Sequence, residues 1–183
     1  METVKADEEG LERTAAILNG GGVAVIPTDT VYGLAASASH PAAVERLYSI
    51  KGRDSRKPIA LLCADFAAAE RFVGGISGAA RDLAEKHWPG GFTLVYKGEG
   101  LRVPDYGWTR RLIAMCGGVL RVTSANLSGR RPATDAIFAL DEIGLSTDII
   151  VDDGISPGGE ASTVAAVSPE GEIKVLRQGA IVL

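Results

Sequence analysis

Four cations fall within seven residues at Lys51-Gly52-Arg53-Asp54-Ser55-Arg56-Lys57, in a chain whose formal charge is −4. Such a cluster can hold phosphate, because arginine offers a planar fork to two oxygens at once and lysine a compact point charge. The same residues would also suit a solvated loop whose charges offset the negative C-terminal end of a preceding helix. Three further segments share another pattern, an apolar strand that opens into hydroxyl, amide or glycine residues: Pro27-Thr28-Asp29-Thr30-Val31-Tyr32-Gly33-Leu34, Thr123-Ser124-Ala125-Asn126-Leu127-Ser128-Gly129 and Gly158-Gly159-Glu160-Ala161-Ser162-Thr163. Ligands of open α/β sheets collect beyond the carboxyl ends of strands, where hydroxyls and backbone N–H groups can donate. Each segment taken singly is also an ordinary polar turn. Three strand ends and one cationic loop together point to one site for anionic ligands.

No GxxxxGK[ST] occurs, and no GxGxxG lies between a strand and a helix, so a nucleotide must be held by other means. Cys63, Cys116, His40 and His87 are the whole complement of cysteine and histidine. They are too scattered for zinc spacing, and no metal site in the protein is expected. Both cysteines are expected to be reduced and packed as small hydrophobes. A pI near 5.2 argues against a whole-surface attraction to nucleic acid, so any anion site must be local.

These residues need a scaffold. A chain of 183 residues, 46% hydrophobic and 23% charged, fits one globular domain. No apolar stretch approaches the ~20 residues of a spanning helix. The N-terminal METVKADEEGLER has no secretory pattern, so a cytoplasmic location is expected and no membrane association. Hydrophobic spacing predicts a helix over 7–19, stopped by the glycines at 20–22, and another that starts near Pro41 and ends near Gly52. Asp65 and Ser77 are placed as N-caps of helices over 66–72 and 78–87, and a further helix is expected around 108–116. Strands are expected at 23–26, 59–63, 92–96, 119–123, 148–152, 163–167 and 172–177, the last two as a hairpin. Crossover and hairpin connections together imply an α/β fold with a mixed sheet.

The segments PTDTVYGL, LYSIKGRDSRKPI, KHWPGGFTLV, LRVP, TSANLSG, DDGISPGGEASTV and VLRQGAI, in this order from residue 27 to residue 181, resemble the YrdC-like family, the threonylcarbamoyl-AMP synthases. The resemblance implies a twisted mixed β-sheet flanked by helices around a cationic cavity where L-threonine, bicarbonate and ATP meet. It also implies a single YrdC-like domain over 1–183, without the C-terminal domain of longer members. By motif position, Thr30, Arg102, Thr123 and Ser162 match threonine contacts. Lys51, Arg53 and Lys57 fall in the basic motif, with Lys51 and Arg53 as the catalytic cations. Ser124, Ala125 and Asn126 form the SxN motif beside ATP, and Arg177 matches a further ATP contact. The pattern is broken in two places: residues 97–101 make a short connection, and Arg102-Val103-Pro104 lacks the His-Pro that often follows. Leu62 stands where some relatives carry a polar residue, and no role is transferred to it.

The implied reaction joins the threonine amine and bicarbonate into a carbamate, which attacks the α-phosphate of ATP and expels pyrophosphate. All the anions involved repel one another, so clustered Lys and Arg suit the task. Mg²⁺ is expected to arrive on the ATP phosphates. The implied partners are proteins that transfer the threonylcarbamoyl group to tRNA. A module that binds RNA weakly through the cationic cavity, or a paralogue handling another carbamoyl-adenylate, are the competing readings. The 5% aromatic content weighs against the RNA module, since single-strand binders stack bases on aromatic rings.

Overall fold

The computed structural model describes residues 2–183. Ten strands form one mixed sheet: β1 (Glu2–Lys5), β2 (Val23–Ile26), β3 (Gly33–Ser37), β4 (Leu61–Cys63), β5 (Phe92–Tyr96), β6 (Glu99–Arg102), β7 (Val119–Ser124), β8 (Ile149–Asp152), β9 (Thr163–Val167) and β10 (Ile173–Arg177). Their spatial order is β1-β8-β2-β3-β7-β4-β6-β5-β9-β10. The pairs β1 with β8, β8 with β2, β4 with β6 and β5 with β9 are parallel, and β2 with β3, β3 with β7, β7 with β4, β6 with β5 and β9 with β10 are antiparallel. The expected mixed α/β sheet is therefore present.

Six α-helices flank it: α1 (Glu8–Asn19), α2 (Pro41–Lys51), α3 (Phe66–Val73), α4 (Gly78–His87), α5 (Gly107–Met115) and α6 (Ala136–Ile143). Their ends follow from the local sequence. Asp7, Asp65 and Asp135 each accept a backbone N–H of the first turn of α1, α3 and α6, satisfying a donor the helix cannot. Ser77 stands at the N-cap of α4 but makes no capping bond; its hydroxyl meets Tyr96 Oη at 3.4 Å instead. Pro41 opens α2 and Gly52 closes it in the left-handed conformation, φ 58°.

Strand alternation sorts the core. Ala24, Ile26, Ala35, Leu62, Leu120 and Val122 lie on one face, against Leu11, Ala15 and Leu18 of α1 and Leu112 and Ile113 of α5. On the opposite face, Val23, Val25 and Leu34 meet α2 and α6. Leu61, Cys63, Leu94 and Leu101 meet α3 and α4 on that same side, since Ala36 and Leu61 both pair with Arg121. Helices thus cover both faces of the β8-β2-β3 half. The β6-β5-β9 part is packed by helices on one face only, since α5 reaches no further than β4 on the other.

Four elements went unforeseen. β1, β3 and α6 were not assigned, β3 because Gly33-Leu34-Ala35-Ala36-Ser37 has little of the β-branched or aromatic character that marks a strand. The 97–101 connection is not a loop: Lys97 (φ 51°) and Gly98 (φ 83°) form a two-residue turn with both φ positive, and β6 follows at once.

Candidate active site

The face left without a helix carries a cavity of about 390 Å³. Its floor is built by strand alternation: Leu62, Thr93, Val95, Gly100, Arg102, Val122, Ser124 and Val164 occupy every second position of five strands. Register aligns them, with Leu62 beside Arg102, Val95 beside Gly100 and Thr93 beside Val164. Thr28, Thr30 and Tyr32 enter from the loop after β2, Arg53 and Pro58 from the loop after α2, and Ser162 and Arg177 from the ends of β9 and β10.

Arg102 dominates one end. Its guanidinium is buried and donates to the Gly90 carbonyl (2.9 Å), Thr30 Oγ1 (2.8 Å) and Asp29 Oδ1 (2.5 Å). That engages three of the five N–H bonds an arginine owns and leaves two for a ligand. Burial lowers the Arg102 pKa, the neighbouring Asp29 opposes this, and Arg177 adds to it. A fixed, poorly hydrated fork among hydroxyls suits a carboxylate. Thr28 Oγ1 lies 3.1 Å from Thr30 Oγ1, and Thr93 Oγ1 lies 2.8 Å from Ser162 Oγ, so the surrounding hydroxyls are held as well.

Two further cations line the cavity, Arg177 near enough to act on both Arg102 and Arg53. Arg177 donates to the Ser162 carbonyl (2.8 Å) and to Ser162 Oγ (3.1 Å), and its pKa is lowered by burial and then by Arg53. Arg53 donates to the carbonyls of Lys57 (3.0 Å) and Pro58 (3.1 Å) from the exposed 52–58 loop. Ser124 closes the floor at the end of β7.

Of the residues selected from sequence, Thr30, Arg53, Arg102, Thr123, Ser124, Ser162 and Arg177 line this one cavity. Lys51, Lys57, Ala125 and Asn126 are not among its lining residues. Lys51 was expected as a phosphate-facing cation, but it is 3% exposed and points inward. Its ammonium donates to the Ser124 carbonyl and to the Asn126 carbonyl (2.5 Å), while its own carbonyl accepts from Ser128 N–H (2.8 Å). Burial, with Arg53 as the lesser cause, lowers its pKa to about 8. Asn126, expected beside ATP in the SxN motif, is 4% exposed, and its side-chain amide donates to the carbonyls of Leu127 (2.7 Å) and Arg130 (2.9 Å). Ala125 is fully buried, and Lys57 is exposed with its carbonyl serving Arg53.

The family model Sua5_yciO_yrdC, described as "Telomere recombination", matches residues 16–179. The chain belongs to the Sua5/YciO/YrdC family. Among its relatives, a threonylcarbamoyl-AMP synthase of Mus musculus is 32% identical over 93% of this chain and 67% of its own length. One from Bacillus subtilis is 30% identical over 98% of this chain and 56% of its own. The crystal structure of P. abyssi Sua5 complexed with L-threonine superposes with a TM-score of 0.88 at 28% identity, over 97% of this chain and 57% of that one. The chain thus spans a little over half to two thirds of the length of these Sua5/YciO/YrdC relatives.

Sequence reasoning passed over three contributors to the site. Asp29 stands in a quoted segment, but nothing in the sequence pairs it with Arg102. Thr93 sits inside an apolar strand, and only its place in the alternation marks it as facing the cavity. Tyr32, fully buried, was quoted in a motif and given no task.

Proposed function

We propose that this chain forms L-threonylcarbamoyl-AMP and pyrophosphate from L-threonine, bicarbonate and ATP, for threonylcarbamoyl-adenosine modification of tRNA. The observation that carries the reading is a single cavity lined by a buried, hydroxyl-ringed Arg102 together with Arg53 and Arg177. The naming of relatives as threonylcarbamoyl-AMP synthases, and the L-threonine complex of the P. abyssi relative, support it.

In this reading Arg102, Thr30 and Ser162 receive the amino-acid carboxylate and leave the amine directed along the cavity. The amine and bicarbonate condense to a carbamate with loss of water. A carbamate oxygen then attacks the α-phosphorus, the bond to the bridging oxygen breaks, and pyrophosphate leaves. Arg53 and Arg177 offset the repulsion between carbamate and triphosphate and the charge that grows on the leaving group. Lys51 acts one step removed, by holding the Ser124 and Asn126 carbonyls so that the end of β7 keeps its shape.

Among the described residues no group of three or more His, Cys, Asp or Glu is arranged to hold a metal. Mg²⁺ would therefore travel on the ATP phosphates, where it neutralises charge. No helix of the described residues is long and apolar enough to cross a membrane, and the site of action would be the cytoplasm, with tRNA-modifying transfer proteins as recipients of the product.

The test is pyrophosphate release from the purified chain. Release only when threonine, bicarbonate and ATP are all present supports the synthase. Release without threonine, or none alongside salt-sensitive RNA binding, overturns it.

A further inference from the structure

Tyr32, which lines the cavity, joins two regions far apart in sequence, 125–133 and 153–154. Its backbone N–H donates to the Ala133 carbonyl (2.8 Å), and its carbonyl accepts from Ala125 N–H (2.8 Å). Its side chain is the largest among the fully buried ones, and its hydroxyl reaches the turn after β8. There it donates to the Gly154 carbonyl (2.8 Å) and accepts from Asp153 N–H (3.0 Å). A second phenol, Tyr106, donates to the Asp153 carboxylate.

The turn held in this way begins the glycine-rich segment 154–162, whose far end is fixed separately. Thr163 N–H donates to the Gly91 carbonyl (2.9 Å), and Arg177 binds the Ser162 carbonyl. Two backbone bonds fix it in between, from Ser156 N–H to the Thr134 carbonyl (2.7 Å) and from Ala180 N–H to the Ala161 carbonyl (2.9 Å), and the stretch between Ser156 and Ala161 presses on the amino-acid end of the cavity. A Cβ on Gly158 would stand 2.6 Å from the Asp29 carbonyl oxygen and 3.1 Å from Thr30 Cα, so only glycine allows that approach. Ala161 and Ser162 then line the cavity. A segment with three glycines, at 154, 158 and 159, has little stiffness of its own, and its placement depends on its anchors.

We propose that the Tyr32 hydroxyl is a positioning residue for the amino-acid end of the site: it pins the Asp153–Gly154 turn, and so holds segment 154–162 against Thr30 and Ser162. The proposal rests on the synthase reading for the identity of the ligand, an α-amino acid, but not for the mechanical link itself. The segment meets Asp29 and Thr30 directly at Gly158, whereas its link to the cationic side runs only through its far end, where Arg177 binds Ser162. Loss of the hydroxyl therefore weakens amino-acid binding more than ATP binding.

The variant is Tyr32→Phe, which keeps the ring and both backbone bonds and deletes only the two hydroxyl contacts. Pyrophosphate release is measured with threonine and ATP varied separately, and hydrogen exchange is followed by mass spectrometry on the same protein. The expected result is a threonine KM raised about tenfold, as the loss of one to two net hydrogen bonds implies, an ATP KM changed by less than about twofold, and faster exchange confined to 153–162. Equal rises in both KM values, or unchanged exchange over 153–162, would overturn the proposal. If wild-type protein releases no pyrophosphate, the synthase reading fails by itself, and exchange over 153–162 alone decides whether the latch exists. Should Tyr32→Phe not fold, Tyr106→Phe removes the other phenol from the same turn. It is read identically, with a smaller effect in the same direction expected and no change counting against the proposal.

Discussion

At one end of the cavity Arg102 is sealed into the sheet, its guanidinium bound to a carbonyl, a hydroxyl and a carboxylate, whereas at the other Arg53 rides an exposed loop and binds only two carbonyls of that loop. Both are arginines on the wall of one cavity, yet their circumstances differ in kind. Arg102 stands on a strand, and its neighbours on β4 and β5 are fixed by register. Its place is settled before any ligand arrives. Arg53 follows a glycine in the left-handed conformation at the end of α2, on a segment where every residue from Asp54 to Pro58 is exposed. In the proposed reading its grip on a phosphate would be completed by the ligand. The contrast would then suit two tasks: a small amino acid selected by a rigid, desolvated fork, and a highly charged nucleotide that itself orders the cations around it.

Removing the rigid arginine should have the largest consequence. Arg102→Ala leaves the Asp29 carboxylate buried without its partner, and breaking a buried ion pair from one side costs about 3–5 kcal/mol. Denaturant unfolding should show that loss, and the folded fraction should have no measurable threonine response. Arg102→Lys should restore little, because an ammonium cannot reach a carbonyl, a hydroxyl and a carboxylate in one plane. If Arg102→Ala unfolds like wild type, the two ends are not different in kind.

Arg53→Ala should leave stability nearly unchanged and act on the reaction. Two charge-assisted hydrogen bonds to phosphate, each worth about 1.5–3 kcal/mol, correspond to a fall of roughly two to four powers of ten in kcat/KM. Pyrophosphate release at saturating threonine and bicarbonate measures this, with circular dichroism as the check on folding. Wild-type rates from the folded variant would return the cationic loop to the role of a solvated loop.

How much of this was legible beforehand depends on what each inference used. Motif order identified the segments that converge, and seven of the selected residues do line one cavity. Apolar periodicity located α1 and the β9–β10 hairpin. It did not find β3, because a glycine- and alanine-rich segment takes its state from tertiary packing rather than from propensity; α6 was legible in principle, since Asp135 stands before the apolar run Ala136-Ile137-Phe138-Ala139-Leu140. Direction was the harder quantity. Lys51 and Arg53 are two residues apart in one basic motif, and a string of letters treats them alike. Gly52 between them takes a left-handed turn, which sends Lys51 under the end of β7 and Arg53 out toward the cavity.

Lys51 therefore tests the comparison from the inside. Its folded pKa is lowered to about 8 from an ordinary 10.5, so between those values the unfolded chain binds more protons than the folded one. Stability contributed at this position must then rise with pH. The Lys51→Met variant lacks this term and leaves the Ser124 and Asn126 carbonyls without their donor. At pH 8 it should be less stable than wild type by about 1–3 kcal/mol. The gap should widen by roughly 1 kcal/mol between pH 8 and pH 9. Comparing the two proteins at each pH cancels the contribution of the buried thiols and phenols, which titrate alike in both. A gap that stays constant would mean that the ammonium is as well solvated as a surface lysine.

The smallest expected change separates two members of the SxN motif that sequence alone treats as equals. Ser124 lies on the cavity side of β7, aligned with Gly33 of β3, and is only partly buried. Truncation to alanine removes a hydroxyl that faces open space, so stability should shift by less than about 0.5 kcal/mol. Asn126 is enclosed and holds two loop carbonyls. Asn126→Ala strands both acceptors and should cost about 1–3 kcal/mol. On activity the order is the reverse in kind: Ser124→Ala should raise the ATP KM in a fully folded enzyme, and Asn126→Ala should act mainly by loosening the 124–130 loop. Urea unfolding of the two variants beside pyrophosphate release at varied ATP resolves the pair. Equal stability losses would mean that the end of β7 is as solvent-filled at Asn126 as at Ser124, and the proposed division between a nucleotide-facing Ser124 and a loop-holding Asn126 would have to be moved.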